Sequence, residues 1–247
     1  MGRLLENLAG RQRAVGLLAS CGIIGPALFG ISVGIANFYR PDHDPISQLV
    51  SDLGRGSTTY ASLMNIGGFI ISGILTILFG FAIFLAVAPK GWRRTGALLV
   101  SLGGVGMIGA GIFSNDPSSR VLFNSAVGHQ IFTIVVMGGA VFGPILLAGA
   151  FQRNPQWRGY RTFSLTVALV IAFFVSVMFI DYLRVWQGAV ERAFAGLMFL
   201  WMQAMAIRLT VLSLRARARA QVLERAAETT FASPKPAPAM PRRFRLL

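Results

Sequence analysis

Ala14–Phe38, AVGLLASCGIIGPALFGISVGIANF, decides the fold class: twenty-five residues with no charge, interrupted only by Ser20, Pro26, Ser32 and the closing Asn37. An α-helix rises about 1.5 Å per residue, so about twenty apolar residues cross the hydrocarbon of a bilayer. Small-x-small at Gly34-Ile35-Ala36 resembles a leader-peptidase site, but the run is longer than the apolar region of an ordinary signal peptide, so it reads as a first span. The pattern repeats at 63–88, 95–113, 126–151, 162–183 and 193–214. The reading is an all-α, polytopic bundle of six transmembrane helices spanning 14–214, flanked by a polar N-terminus, 1–13, and a basic tail, 215–247. Of the 247 residues 54% are hydrophobic and only 13% are charged, which excludes an ordinary soluble domain.

Charge orients the spans. The net charge of +14 would suggest nucleic acid in a soluble protein, but here eighteen of the 23 basic residues fall on one side of the six-span layout. They cluster at Arg3–Arg13, Lys90–Arg94, Arg153–Arg161 and Arg208–Arg245, whereas Arg40, Arg55, Arg120, Arg184 and Arg192 fall on the other. Cytoplasmic loops collect Lys and Arg, so both termini are expected in the cytoplasm of a cell that places the protein in its inner membrane. No nucleic-acid partner is implied. The basic helix beyond Leu214 and the last residues, 242–247, could meet anionic lipid headgroups, while the Pro/Ala-rich 232–241 reads as disordered.

Six of the nine acids, and both histidines, gather on the opposite side. The connection after the first span, His43–Gly54, reads HDPISQLVSDLG. Asp44 suits a helix N-cap, Pro45 the first helical position and Gly54 the residue past the end. Ile46, Leu49, Val50 and Leu53 recur at i, i+3, i+4 and i+7, the pattern of a short interfacial helix with one apolar face. A second polar connection, 113–128, leads into His129 at the start of span four. The ligand or structural cluster read from these loops is His43, Asp44, Ser47, Asp52, Asp116, His129 and Asp181.

Span three carries Gly96, Gly103, Gly104, Gly106, Gly109 and Gly111, which suits close helix contact in lipid; a glycine-lined path is the alternative. Pro144 lies inside span four. Cys21 excludes an intramolecular disulfide, being the sole cysteine.

Three functions from different classes fit these residues. His43, Asp116 and His129 supply a possible divalent-metal set, and Ser125-x-x-x-His129 resembles one motif of membrane-embedded, metal-dependent lipid hydrolases, which also carry a His-x-x-x-His pair that this chain lacks. A transporter would place ionisable groups at depth, yet all of them lie within about two turns of a span end, so only an uncharged solute is expected to pass. A non-catalytic protein that binds a lipid, a hydrophobic small molecule or a partner helix would use Asp44 and Asp116 as turn caps and His129 as a tie to an outer loop. That last reading needs no predicted cofactor.

The order of motifs resembles a known family. HDPISQLVSDLG after span one, Asn65, Gly67 and Gly68 at the start of span two, GIFSNDP (111–117) closing span three and Gly128-His129 opening span four are similar to the domain of unknown function 998. The matching positions are Ile46, Ser47, Leu53 and Gly54, then Phe113, Asp116 and His129, with Ser114 where many relatives have proline. The resemblance implies a six-helix membrane protein of bacterial or archaeal type, and no activity.

Overall fold

The computed structural model describes residues 2–87, 93–118, 124–152 and 154–231, and among them the regular structure is helical. The long helices are α1 (Gly2–Phe38), α2 (Thr59–Ala86), α3 (Arg93–Ile112), α4 (Ser125–Phe151), α5 (Tyr160–Val177) and α6 (Gln187–Phe231). All six contain a stretch long and apolar enough to cross a membrane. The expectations for Lys90, Arg120, Arg153 and the tail 232–247 lie outside the described residues.

The helices form a closed ring in chain order: each packs on its chain neighbours, and α6 returns against α1. The seams on either side of α5 are the thinnest. Small residues set the closest backbone approaches. A Cβ on Gly73 would lie 2.7 Å from the Gly104 carbonyl oxygen, and one on Gly104 would lie 2.6 Å from that of Gly73, so α2 and α3 meet backbone to backbone. The far side of α3 does the same against α4, where a Cβ on Gly106 would lie 2.8 Å from the Phe132 carbonyl oxygen. The glycines of span three are therefore packing surfaces on both sides. Gly67 and Gly68 lie in a π-helical segment, Leu63–Ile71, against Ser32 of α1.

The two ends of the ring differ. At one, cations cap helix ends: the Arg11 guanidinium donates to the Leu85 carbonyl at 2.7 Å and Arg208 Nε to the Gln156 carbonyl at 3.1 Å. At the other, the connections 39–58, 113–118 and 178–186 converge and carry most of the polar contacts.

Three boundaries depart from the sequence reading. The expected fifth span, 162–183, ends at Val177, and Asp181–Trp186 is a 3-10 turn outside it. The sixth helix begins at Gln187 rather than 193, which brings Glu191 and Arg192 into a helix instead of a loop. The expected helix over 44–54 is a turn at 45–47 followed by a 3-10 helix, Val50–Gly54.

Candidate functional site

The 39–58 connection is folded by its own polar side chains. Asp44 is exposed and accepts the N–H of Ile46 at 3.1 Å and of Ser47 at 3.3 Å, together with the Ser47 hydroxyl. The Ser47 hydroxyl, helped by the Ile46 N–H, holds the Asp44 carboxyl below the usual carboxylate range. Leu49 explains why no continuous helix forms. Its N–H donates to the Asp52 carboxylate at 3.1 Å, and its carbonyl, which faces His43 Nε2 at 3.0 Å, accepts the Asp52 N–H at 3.1 Å, so the ladder restarts here as a 3-10 turn. Because a carbonyl only accepts, Nε2 of His43 carries a hydrogen. Its Nδ1 sits 2.9 Å from Asn37 Oδ1, and the ring is buried.

The folded loop is then fastened to the bundle from three directions. From the third connection, Asn115 Nδ2 donates to Asp52 at 2.9 Å, while Arg55 pairs with Asp52 at 3.0 Å and donates to the Asn115 carbonyl at 2.8 Å. From α2, Asn65 Nδ2 donates to the Gly54 carbonyl at 2.8 Å. From α6, the Ala189 N–H reaches the Ile46 carbonyl at 3.0 Å, and Arg192 reaches the carbonyls of Pro45 at 2.7 Å and Gln48 at 3.0 Å. The Glu191 carboxyl accepts the backbone N–H groups of Val50 and Ser51, the first turn of the 3-10 helix. Gly188 is required for this approach, since a Cβ there would press on the backbone oxygens of Gln48 and Pro45.

Asp116 and Asp181 play local parts. Asp116 accepts from the Ser118 N–H at 2.9 Å and its hydroxyl at 2.6 Å, and that hydroxyl is the main reason its carboxyl sits below the ordinary range. Asp181 pairs with Arg184 at 2.9 Å, both largely exposed.

Beneath the fastened loop lies a cavity of about 420 Å³. Leu49 and Ser51 roof it; His129, Gln130, Thr133, Ile134 and Met137 of α4 form one wall; Gln187 and Glu191 of α6 form another. Met178, Phe179 and Arg184 close the third side, at the thin seam around α5. Two narrower spaces continue inward along the ring axis. The first, about 40 Å³, shares His129, Thr133 and Glu191 with the mouth. The second, about 20 Å³, shares Met107, Val136 and Met198 with the first and reaches Trp201. A mouth of mixed polarity thus gives way to an almost wholly apolar floor.

His129 stands where mouth and floor meet. It is buried, and its Nδ1 lies 2.9 Å from the Ala110 carbonyl oxygen and 3.0 Å from that of Phe113. Two carbonyls can only accept, so Nδ1 carries the hydrogen and Nε2 of the neutral ring is an acceptor. No hydrogen bond to Nε2 is made among the described residues. Ser125, one turn earlier, is fully buried with its hydroxyl unpaired, and it makes no hydrogen bond to His129.

The metal set expected from sequence is not brought together. Among the described residues no three His, Cys, Asp or Glu side chains group closely enough to hold an ion. His43 uses both ring nitrogens within its own loop, Asp116 is committed to Ser118, and His129 is committed to α3 carbonyls. Glu191 lines the cavity and was omitted from the cluster read from sequence. Its partners lie 141 residues away, and the only signal for it was a carboxyl close to the start of an apolar run.

A family model described as "Protein of unknown function (DUF998)" matches residues 23–208, which include the loop and every residue lining the cavity. No curated protein and no solved structure matches the chain.

Proposed function

The chain belongs to this family of proteins of unknown function, and we propose that it binds an amphiphile, a lipid or hydrophobic small molecule, in the cavity beneath the 39–58 loop. The observation that carries this reading is the gradient inside the ring. About 420 Å³ with His129, Gln130, Gln187 and Glu191 at the mouth leads to narrow spaces lined by Met107, Val136, Met198 and Trp201. Ligand pockets are commonly about 300–1,000 Å³, mostly apolar, with a few polar groups that orient the bound molecule. A molecule with one polar end and one apolar end matches both parts.

Access would run through the seams flanking α5. Ile134 and Phe179 line the mouth and are exposed on the surface of the helices, where acyl chains would surround them. The excess of Arg and Lys at the opposite end supports an orientation with both termini in the cytoplasm, and on this reading the mouth would open at the outer leaflet of the plasma membrane. On this reading the Asp and His residues of the loop are structural: they build and fasten a roof. The basic tail would rest on anionic lipid.

Native mass spectrometry of the protein released from its own membrane into mild detergent tests the proposal. An adduct with the mass of a lipid or other amphiphile, lost when Met137→Trp fills the mouth, is the expected result. A bare polypeptide under conditions that preserve other lipid adducts would overturn it.

A further inference from the structure

The hydrogen-bond assignments at the mouth constrain the polar end of the bound molecule. His129 is fixed as an acceptor there, because its Nδ1–H is used by the carbonyls of Ala110 and Phe113. Glu191, which lines the same two spaces, offers a further acceptor oxygen beside the one occupied by the Val50 N–H. Gln130, Thr133 and Gln187, side chains that carry hydrogen-bond donors, also line this space.

Of the two arginines around it, Arg184 is ion-paired and Arg192 is bonded through one nitrogen. Arg184 is paired with Asp181 through both Nε, at 3.0 Å, and a terminal nitrogen, at 2.9 Å. Arg192 does not line the cavity; its Nη1 donates to the carbonyls of Pro45, Gln48 and Gly188, while its buried Nη2 has no hydrogen-bond partner among the described residues. Asn115 is spent on Asp52 and Ser51.

A group that only accepts, such as a phosphate or carboxylate, would set its oxygens against the Nε2 lone pair and the Glu191 oxygens. An ammonium would donate to Nε2 and to Glu191 but offers no acceptor to the amide groups of Gln130 and Gln187, which line the same mouth. A hydroxyl both donates and accepts. Resting on the amphiphile reading above, we propose that the cavity selects an uncharged, hydroxyl-bearing head of the acylglycerol type, with a hydroxyl donating to Nε2 of His129.

Competition native mass spectrometry tests this with four amphiphiles of one chain length: a monoacylglycerol, a fatty acid, an alkyl phosphate and an alkylamine, offered together at equal concentration. The monoacylglycerol adduct is expected to exceed each of the others about tenfold, the scale of one buried hydrogen-bonding group left without a partner. His129→Asn keeps a donor toward the Ala110 and Phe113 carbonyls and removes the Nε2 acceptor. It is expected to retain the thermal stability and to lose most of the preference, an effect that a purely structural histidine would not produce. Should that variant not fold, Thr133→Val, an isosteric loss of a hydroxyl one turn away, carries the same comparison and is expected to narrow the preference. Equal binding of all four, or preference for a charged head, would overturn the hydroxyl assignment and leave the amphiphile reading standing. No adduct with any of them would overturn the amphiphile reading itself, and an unchanged preference in a folded His129→Asn would remove His129 from the recognition.

Discussion

Replacing Glu191 by alanine removes the acceptor for the Val50 and Ser51 N–H groups while leaving α6 a good helix former at that position. Val50 is 2% exposed and Ser51 3%, so bulk water does not reach these donors from above the loop. A buried donor left without a partner costs about 1–3 kcal/mol. The two penalties do not simply add, because the truncated side chain opens space toward the cavity through which water can reach one of them. The expected loss therefore falls near 1–3 kcal/mol and is local to residues 49–54, held otherwise by Asp52, Asn65 and Asn115. Hydrogen exchange of those backbone amides in detergent reads it directly. An opening made easier by that much speeds exchange roughly 5- to 150-fold, with the amides of α3 unchanged. Glu191→Gln keeps an acceptor oxygen, and its effect is expected to be smaller. Unaltered exchange at Val50 and Ser51 in Glu191→Ala would refute the fastening of the roof by α6.

Four further outcomes are expected. His129→Ala deletes the ring that bridges α4 to the Ala110 and Phe113 carbonyls, and thermal denaturation in detergent should show a loss of about 1–3 kcal/mol. Leu53→Ala empties a site with 0% exposure in the roof, so a loss of about 2–5 kcal/mol is expected by the same assay. Gly104→Val forces a side chain against the Gly73 carbonyl and should separate α2 from α3, read as weakened cross-linking between cysteines placed at Ile77 and Ser101, which face each other across that seam. For Asp44 the sign follows from a folded carboxyl held below its usual range: its contribution is present above about pH 4, the ordinary carboxylate value, and fades as acid protonates the folded form. Exchange at Ile46 and Ser47 should rise in acid in the native protein and be fast at every pH in Asp44→Ala.

The six spans were legible because each contains a long apolar run, and a helix that satisfies its own backbone is the solution hydrocarbon permits for a chain of this kind. Asp44 and Asp116 as turn caps were legible too, since an Asx side chain bonds the backbone two or three residues ahead whatever the rest of the chain does. The loop's helix was misread at Leu49, whose backbone groups are taken by His43 and Asp52; apolar periodicity carries no information about such competition. The end of span five was overextended because Met178, Phe179, Ile180 and Tyr182 are apolar or aromatic. Phe179 and Tyr182 are nonetheless exposed, the composition of a membrane interface rather than of a span's core. That error hid Glu191, since it left 184–192 as a loop. The cavity itself has no sequence signature: its walls come from α4, α6 and the 178–186 connection and its roof from residues over 130 positions away from Glu191.

Photo-cross-linking tests the central claim most directly. A monoacylglycerol with a photoreactive group on its chain, irradiated with the protein in mild detergent, should attach to peptides containing Thr133, Met137, Met178 or Met198, the walls of the mouth and of the space beyond it. Met137→Trp should abolish that labelling. Labels scattered over the exposed faces of all six helices, insensitive to Met137→Trp, would contradict a binding cavity within the ring.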